Sequence, residues 1–251
     1  MGGRSRAAAE AEAHYRRMCQ LAGMREGELA QVLSAEPADW IESAARYGVA
    51  EAQLRLGQLL LDRRPPDAGA ARGWFERAAA QGLPDAMNMA GRCLESGWGG
   101  PVDLPRAAAW YRRAAEAGLD WGQYNFANLL FDGRGVDQDQ AGACGWYAKA
   151  AAQGHARAMN LLARACEEGW GVPRDPAAAR DWYRRSAEAG YFRAQYNHAT
   201  LLAAEGRAAE ATRWFEQALA GAPPEARASM ASALSRHPDE RMAALARRRA
   251  A

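Results

Sequence analysis

The sequence has almost no lysine, few cysteines and no long apolar run. Lys149 is its only lysine, so nearly all of its positive charge is arginine, as in many proteins from GC-rich bacterial genomes. No segment reaches the roughly 18 consecutive apolar residues of a membrane helix. Residues 1–13 also lack the apolar stretch of a signal peptide. We therefore expect a cytoplasmic protein that does not associate with membranes.

The four cysteines show neither CxxC spacing nor a partnering histidine pattern, which is typical of reduced, packed thiols. The net charge of +2 distinguishes the chain from strongly basic nucleic-acid-binding proteins and from acidic tails. Alanine, which has the highest helix propensity, is very abundant, and runs of alternating β-branched residues are absent. The composition predicts an all-α fold.

A tryptophan motif recurs along the chain: Trp, then Tyr or Phe, then an alanine-rich stretch that ends in glycine eight residues after the Trp. Four full copies and two weaker ones begin at Trp74, Trp110, Trp146, Trp182, Trp40 and Trp214. Because the full copies are 36 residues apart, the period is that of a helical solenoid. The sequence predicts a right-handed α/α superhelical solenoid of helix-turn-helix repeats.

Residues at fixed offsets from each tryptophan predict how the second helix of a repeat begins and ends. An aspartate seven residues before the Trp has the place of an N-cap, as in Asp67, Asp103, Asp139 and Asp175. A glycine eight residues after it is expected in the left-handed conformation that ends a helix, as in Gly82, Gly118, Gly154 and Gly190. The Trp itself is expected to fill the interface between helices.

The period divides the chain into a central array and two ends. Residues 1–48 are expected to form N-terminal helices and a half-repeat cap, with helices near 5–20 and 37–47. Five repeats follow, at 49–82, 83–118, 119–154, 155–190 and 191–222. Residues 223–251 are expected to form capping helices near 224–235 and 238–249, since the end units of a solenoid meet water on one face.

The repeated pattern resembles the Sel-one-like repeats of the tetratricopeptide-repeat superfamily. It reads Ala-x-x-x-x-Gly-x-x-Leu, Gly-x-Gly-Val, Asp and then Trp-Tyr-x-x-Ala-Ala-x-x-Gly, with Gly133–Val136 and Gly169–Val172 as full copies of the turn. The resemblance implies a non-catalytic scaffold or adaptor that binds a protein or peptide on a superhelical surface. A cysteine-rich branch that binds or hydrolyses β-lactams is the alternative, but the cysteines here do not form one pair per repeat.

Spacing along the first helix of each repeat predicts a partner-binding groove on the face opposite the core. The candidate residues are Asn88, Arg92, Trp121, Tyr124, Asn128, Phe131, Asn160, Arg164 and Tyr196. Asparagine amides can bond an extended peptide backbone, arginine can bind a carboxylate, and aromatic residues are frequent in binding hot spots. Two interpretations remain open: these residues bind a partner, or the aromatics pack on the next repeat and the arginines pair with Glu95 and Glu167.

The sequence contains none of the common catalytic or cofactor-binding motifs. The four histidines form no HExxH or i, i+4 pair, and no P-loop or GxSxG sequence occurs. Asp132, Asp137 and Asp139 lack the spacing of a calcium loop. The arginines at 247–249 are interpreted as a solvated helix end, so no nucleic-acid partner is expected. We expect no enzyme activity, metal or cofactor, and a monomer or weak homo-oligomer.

Overall fold

The computed structural model describes residues 38–248, and their side chains from residue 41 to residue 245. The helix expected near 5–20, with His14 and Cys19, lies outside the described residues, as do the side chains of Trp40 and of the arginines at 247–249. The described chain forms the following helices: α1 (Ala38–Arg46), α2 (Ala50–Asp62), α3 (Ala68–Ala80), α4 (Pro84–Ser96), α5 (Leu104–Glu116), α6 (Asp120–Asp132), α7 (Gln140–Ala152), α8 (Ala156–Glu168), α9 (Pro176–Glu188), α10 (Phe192–Ala204), α11 (Ala208–Gly221), α12 (Pro224–Leu234) and α13 (Glu240–Arg248).

Residues 38–248 contain no strand, and consecutive helices pack as pairs. Helix α2 packs on α3, α4 on α5, α8 on α9 and α10 on α11. The predicted all-α fold of helix-turn-helix repeats is confirmed. None of these helices combines the length and the apolarity that crossing a bilayer requires.

The chain divides into two compact units, Met1–Gly122 and Gln123–Ala251. The core of the first unit includes Leu56, Phe75 and Met87 among buried alanines. The second unit has two buried clusters, one around Tyr147 and Tyr183 and one that joins α10 and α11 to α12 and α13. Each unit therefore has a hydrophobic core of its own.

Aspartate side chains begin the second helix of four repeats. Asp67, Asp103 and Asp139 each accept a hydrogen bond from the backbone N–H three residues ahead, at 2.8–3.1 Å between nitrogen and oxygen. Asp175 accepts from the N–H groups of both Ala177 and Ala178, each at 3.0 Å. The predicted N-caps are confirmed, and they satisfy backbone donors that have no partner within the helix.

Left-handed glycines end the same helices. Gly82, Gly118, Gly154 and Gly190 have φ between 87° and 99°, a conformation that other residues rarely adopt. The residue after each glycine donates its N–H back to the last turn, as from Leu119 to the carbonyl of Ala114 at 3.0 Å. This bond is part of a Schellman ending, so the predicted stop signal is confirmed at all four positions.

The ring that enters the core is the residue after the tryptophan, which corrects the prediction. Phe75, Tyr111, Tyr147, Tyr183 and Phe215 are at most 3% exposed, whereas each preceding Trp is half-buried at the edge of its cluster. Neighbouring helical residues point about 100° apart, so only one member of each pair can face the centre of the hairpin. The tryptophan covers the core from its side.

A cation lies over the indole ring in four repeats. It comes from the residue three positions after the tryptophan, on the same helix face. The pairs, with the distance from the cationic group to the ring centroid, are Arg77–Trp74 at 4.5 Å, Arg113–Trp110 at 4.5 Å, Lys149–Trp146 at 3.8 Å and Arg185–Trp182 at 4.1 Å. Each pair shields the outer face of an indole by a cation–π contact.

Candidate functional site

In the first unit the predicted groove residues differ in exposure. Asn88 is 8% exposed, while Arg92 is exposed and Trp121 is 43% exposed. The Arg92 guanidinium lies 5.2 Å from the centroid of the Trp98 ring. Arg92 therefore stacks on a tryptophan of its own unit, and partner binding by this surface stays a prediction.

Glu95 accepts a hydrogen bond from the buried hydroxyl of Tyr111 at 2.8 Å. Burial raises the pKa of Tyr111, and the Glu95 carboxylate raises it further. The second unit repeats this cluster: Arg164 lies 5.1 Å from the Trp170 centroid, and Glu167 accepts from Tyr183 at 2.7 Å. Arg92 and Arg164 thus have tryptophan partners, and both glutamates hold tyrosine hydroxyls inside the fold.

Three predicted groove residues of the second unit make structural contacts. Asn128 accepts a hydrogen bond from the buried hydroxyl of Tyr147 at 2.7 Å. Phe131 packs its ring edge to face with Trp170, at 5.6 Å between centroids. Tyr124 stacks on His155 at 4.7 Å. Tyr124 and Phe131 each contact a ring of the next repeat, and their role in partner binding stays a prediction.

Four of the nine predicted residues line one cleft in the second unit, with a volume of about 600 Å³. They are Tyr124 from α6, Asn160 and Arg164 from α8, and Tyr196 from α10. The cleft crosses the first helices of successive repeats and is also lined by residues of α12. This cleft (hereafter the α8–α12 cleft) is the candidate functional site.

The α8–α12 cleft is positively charged. Arg157, Arg164 and Arg193 line it and are exposed, and no described carboxylate lies among its lining residues. At the bottom the Asn197 amide donates to the Asn160 oxygen at 3.1 Å. Arginine donors are matched to carboxylate or phosphate oxygens, so the electrostatics favour an anionic ligand.

The sequence prediction missed part of this cleft. Spacing does place Arg157 and Arg193 at the first position of the predicted groove face, but they are not among the candidate residues. Tyr191 precedes its helix, and Ser229 and Met230 come from α12, which was expected only to cap the array. These three enter the cleft through tertiary packing, for which the repeat pattern carries no signal.

The cysteine thiols of the described chain are buried and form no disulfide with one another. Cys93, Cys144 and Cys166 are free and buried, and burial raises the pKa of the Cys93 thiol to about 11. Such thiols are protonated and unreactive near neutral pH. Within residues 38–248 no group of three or more His, Cys, Asp or Glu side chains could hold a metal ion.

Paired helices at a fixed period define the chain as a helical-hairpin repeat protein. The model of the Sel1 repeat matches residues 50–83, 84–119, 122–155 and 156–191, which is more than half of the chain. The chain therefore belongs to the Sel1 repeat family, and the predicted resemblance is confirmed. Proteins with these repeats generally serve as scaffolds for protein interactions.

Solved structures share this fold. A Sel1 repeat protein from Oxalobacter formigenes superposes with a TM-score of 0.65 at 27% identity, over 72% of this chain and 75% of that one. The c5321 protective antigen of uropathogenic Escherichia coli gives 0.69 at 25% identity, over 94% of this chain and 51% of that one. Immunity protein Pa5087 of Pseudomonas aeruginosa superposes with a TM-score of 0.53 over 77% of this chain and 74% of that one. At 17% identity, it is similar in fold alone. No curated protein sequence matches this chain.

Proposed function

We propose that the chain is a non-catalytic scaffold that binds an extended segment of a partner protein in the α8–α12 cleft. The observation that carries this proposal is the convergence of Tyr124, Asn160, Arg164 and Tyr196 on one cavity. All four come from the first helices of three successive repeats, α6, α8 and α10.

The polar groups at the bottom of the cleft suit a peptide backbone. The bond between Asn197 and Asn160 uses one donor and one acceptor. An amide group has two donors and an acceptor oxygen, so the pair retains the Asn160 nitrogen as a donor and the Asn197 oxygen as an acceptor. An extended peptide offers one N–H and one C=O per residue, and such amides can bind it without reading its side chains.

Tyrosine rings supply the apolar part of the surface. Tyr124, Tyr191 and Tyr196 line the same cleft and are each half-buried. Two of them are held by ring contacts, Tyr124 on His155 and Tyr196 on Phe215 at 5.1 Å between centroids. Rings that are already fixed lose little conformational freedom on binding, which is why tyrosine is frequent in binding hot spots.

A blocking variant tests the location of the site. Ser229 lines the cleft and is exposed, so Ser229→Trp would fill the cavity without removing a described hydrogen bond. A photo-crosslinking amino acid at Leu161, which also lines the cleft, should form an adduct with a partner segment in cells. We expect Ser229→Trp to remove that adduct.

Ala228→Trp is the matched control, because Ala228 is exposed on the same helix but does not line the cleft. The adduct should persist in this variant. An adduct that survives Ser229→Trp, or that disappears equally in both variants, would contradict binding in the cleft. Thermal denaturation of each variant confirms that the chain is folded.

We also propose that the protein is cytoplasmic and carries no enzyme activity. The free, buried thiols Cys93, Cys144 and Cys166 suit a reducing compartment and do not form the pairs expected of the cysteine-rich branch. Titration of the denatured, unreduced chain with a thiol reagent should detect four thiols. A lower count would support disulfides and the hydrolase alternative.

A further inference from the structure

We infer that the partner segment is acidic, with carboxylates about three residues apart that the arginines of the α8–α12 cleft bind. This inference rests on the proposed function and specifies the chemistry of the partner. It comes from the sign and the spacing of the charges in the cleft.

The charge of this cleft differs from that of the rest of the chain. The whole sequence has 32 basic and 30 acidic residues and is therefore nearly neutral. The cleft nevertheless combines Arg157, Arg164 and Arg193 with no described acidic side chain. An adjoining cleft shares Arg193 and contains Glu225, so we assign the main binding role to the two arginines of α8.

A second cleft of the same unit contains both arginines and carboxylates, and its charges are therefore balanced. It has a volume of about 370 Å³ and also contains three arginines, but four carboxylates accompany them. Its arginines are already paired: Arg180 with Glu205 at 2.9 Å, and Arg184 with Asp181 at 2.6 Å and Glu188 at 3.0 Å. A carboxylate ligand would have to compete with these ion pairs, whereas the described lining of the α8–α12 cleft contains no carboxylate.

The two arginines of α8 set the spacing of the ligand. Arg157 and Arg164 are seven residues apart, close to two helical turns, so they lie on the same face about 10 Å apart along the axis. An extended chain advances about 3.1–3.4 Å per residue, and in the polyproline II conformation every third residue is on the same side. Carboxylates three residues apart therefore match both guanidinium groups.

Arg164 is held in place for this role. Its guanidinium lies over the Trp170 ring at 5.1 Å from the centroid, and Arg157 lies 6.0 Å from the centroid of Tyr191. Stacking on a ring face leaves the N–H edge of a guanidinium able to donate to a carboxylate. Because the rings restrict both side chains, less rotational freedom is lost on binding.

The probe is a fluorescein-labelled peptide with glutamate at every third position and serine or alanine between, and binding is measured by fluorescence anisotropy on the full chain. A peptide of the same sequence with glutamine in place of glutamate is the uncharged control. We expect binding of the glutamate peptide only, weaker as sodium chloride rises from about 0.05 to about 0.5 M, because salt screens charge interactions. Equal binding of both peptides would overturn the inference.

Arginine variants assign the contact to the cleft. Arg157→Gln with Arg164→Gln should weaken binding of the glutamate peptide by about tenfold or more, since charge-assisted hydrogen bonds are lost. The matched control, Arg180→Gln with Arg184→Gln, removes the same charge from the balanced cleft and should change binding less than about twofold. Equal losses in both double variants would overturn the inference.

A single-stranded uridine oligonucleotide serves as the other anionic probe. Binding of this RNA but not of the glutamate peptide, with loss in the α8 double variant, would overturn an acidic protein partner in favour of nucleic acid. The photo-crosslinked adduct at Leu161 distinguishes failure of the proposed binding site from failure of the proposed acidic partner. An adduct that is lost in Ser229→Trp but kept in the α8 double variant would retain the binding site and overturn the acidic partner.

Discussion

His198 occupies a position where another repeat has a phenylalanine. Its ring packs edge to face with Trp214 at 5.5 Å between centroids, and Phe126 packs with Trp146 in the same way at 5.8 Å. His198 is 7% exposed, and its Nδ1 has no hydrogen-bond partner within the described chain. Burial lowers its pKa, and the positive charge of Arg207 lowers it further. The folded chain therefore favours the neutral form of this histidine over the charged one.

Stability should fall in mild acid because of His198. Since its pKa is lower in the folded than in the unfolded chain, the unfolded chain binds more protons at and below the ordinary histidine pKa of about 6.5. The contribution of His198 to the free energy of unfolding is complete above that pH and is lost progressively as the pH falls below it. Urea denaturation measures the free energy of unfolding at about pH 7.5 and at about pH 5.5. The difference between these two values should be smaller for His198→Phe than for the wild type. Equal differences would show that His198 does not cause the loss.

Single residues show where sequence reasoning succeeds and where it stops. The N-cap of Asp139 and the left-handed Gly154 were predictable because both depend on the chain within a few residues of them. The choice between Trp146 and Tyr147 as the core ring was not, because both are large and aromatic and they are adjacent. Only the direction from which the partner helix approaches decides between them.

Close approach of paired helices depends on small residues in the first helix. A Cβ atom at Gly91 would lie 2.7 Å from two ring carbons of Tyr111, and one at Gly57 would lie 2.5 Å from the Phe75 ring. The repeated pattern Ala-x-x-x-x-Gly-x-x-Leu has its glycine at these positions, and the structure shows that the buried aromatic of the partner helix is the reason. The aromatic ring therefore packs directly against the helix backbone.

Gly91→Ala should destabilise the chain, although alanine is the better helix former. We expect a loss of about 1–3 kcal/mol in the free energy of unfolding, because the Tyr111 ring must shift. Gly145→Ala is the matched control: it also lies within a helix, but its Cβ would have no neighbour within 4 Å. That change should stabilise the chain by about 0.5–1 kcal/mol. Urea denaturation of both variants measures the contrast, and stabilisation by Gly91→Ala would contradict the packing described.

At the scale of helix pairs, the predicted groove was only partly recoverable from spacing. A period of 3.6 residues identifies the face opposite the core, and Arg164 and Tyr196 do line a cleft. The same rule also selected Asn128, which holds the Tyr147 hydroxyl at 2.7 Å. Spacing cannot distinguish a polar side chain that faces solvent from one that bonds an adjacent helix.

At the scale of the whole molecule, the last two helices complete a core that the repeats leave open. Leu234 of α12 and Met242 and Leu245 of α13 are at most 5% exposed and pack with Phe215 and Leu219 of α11. Without them the outer side of α11 would meet water. We therefore predict that the C-terminal helices are required as a cap.

Met242→Ala should lower the free energy of unfolding by about 2–5 kcal/mol, as large-to-small core changes do. Arg241→Ala is the matched control, since Arg241 is 68% exposed and its ion pair with Asp239 is at the surface. That change should stay within about 0.5 kcal/mol. Urea denaturation and light scattering of the full chain compare the two, and similar losses would contradict a buried cap.

The indole and the cation above it belong to one helix, three positions apart, in each of four repeats. The cation that covers each of these four indoles therefore comes from the same helix and does not depend on the hairpin before or after it. Gene duplication can therefore add or remove a whole hairpin without separating an indole from the cation that covers it.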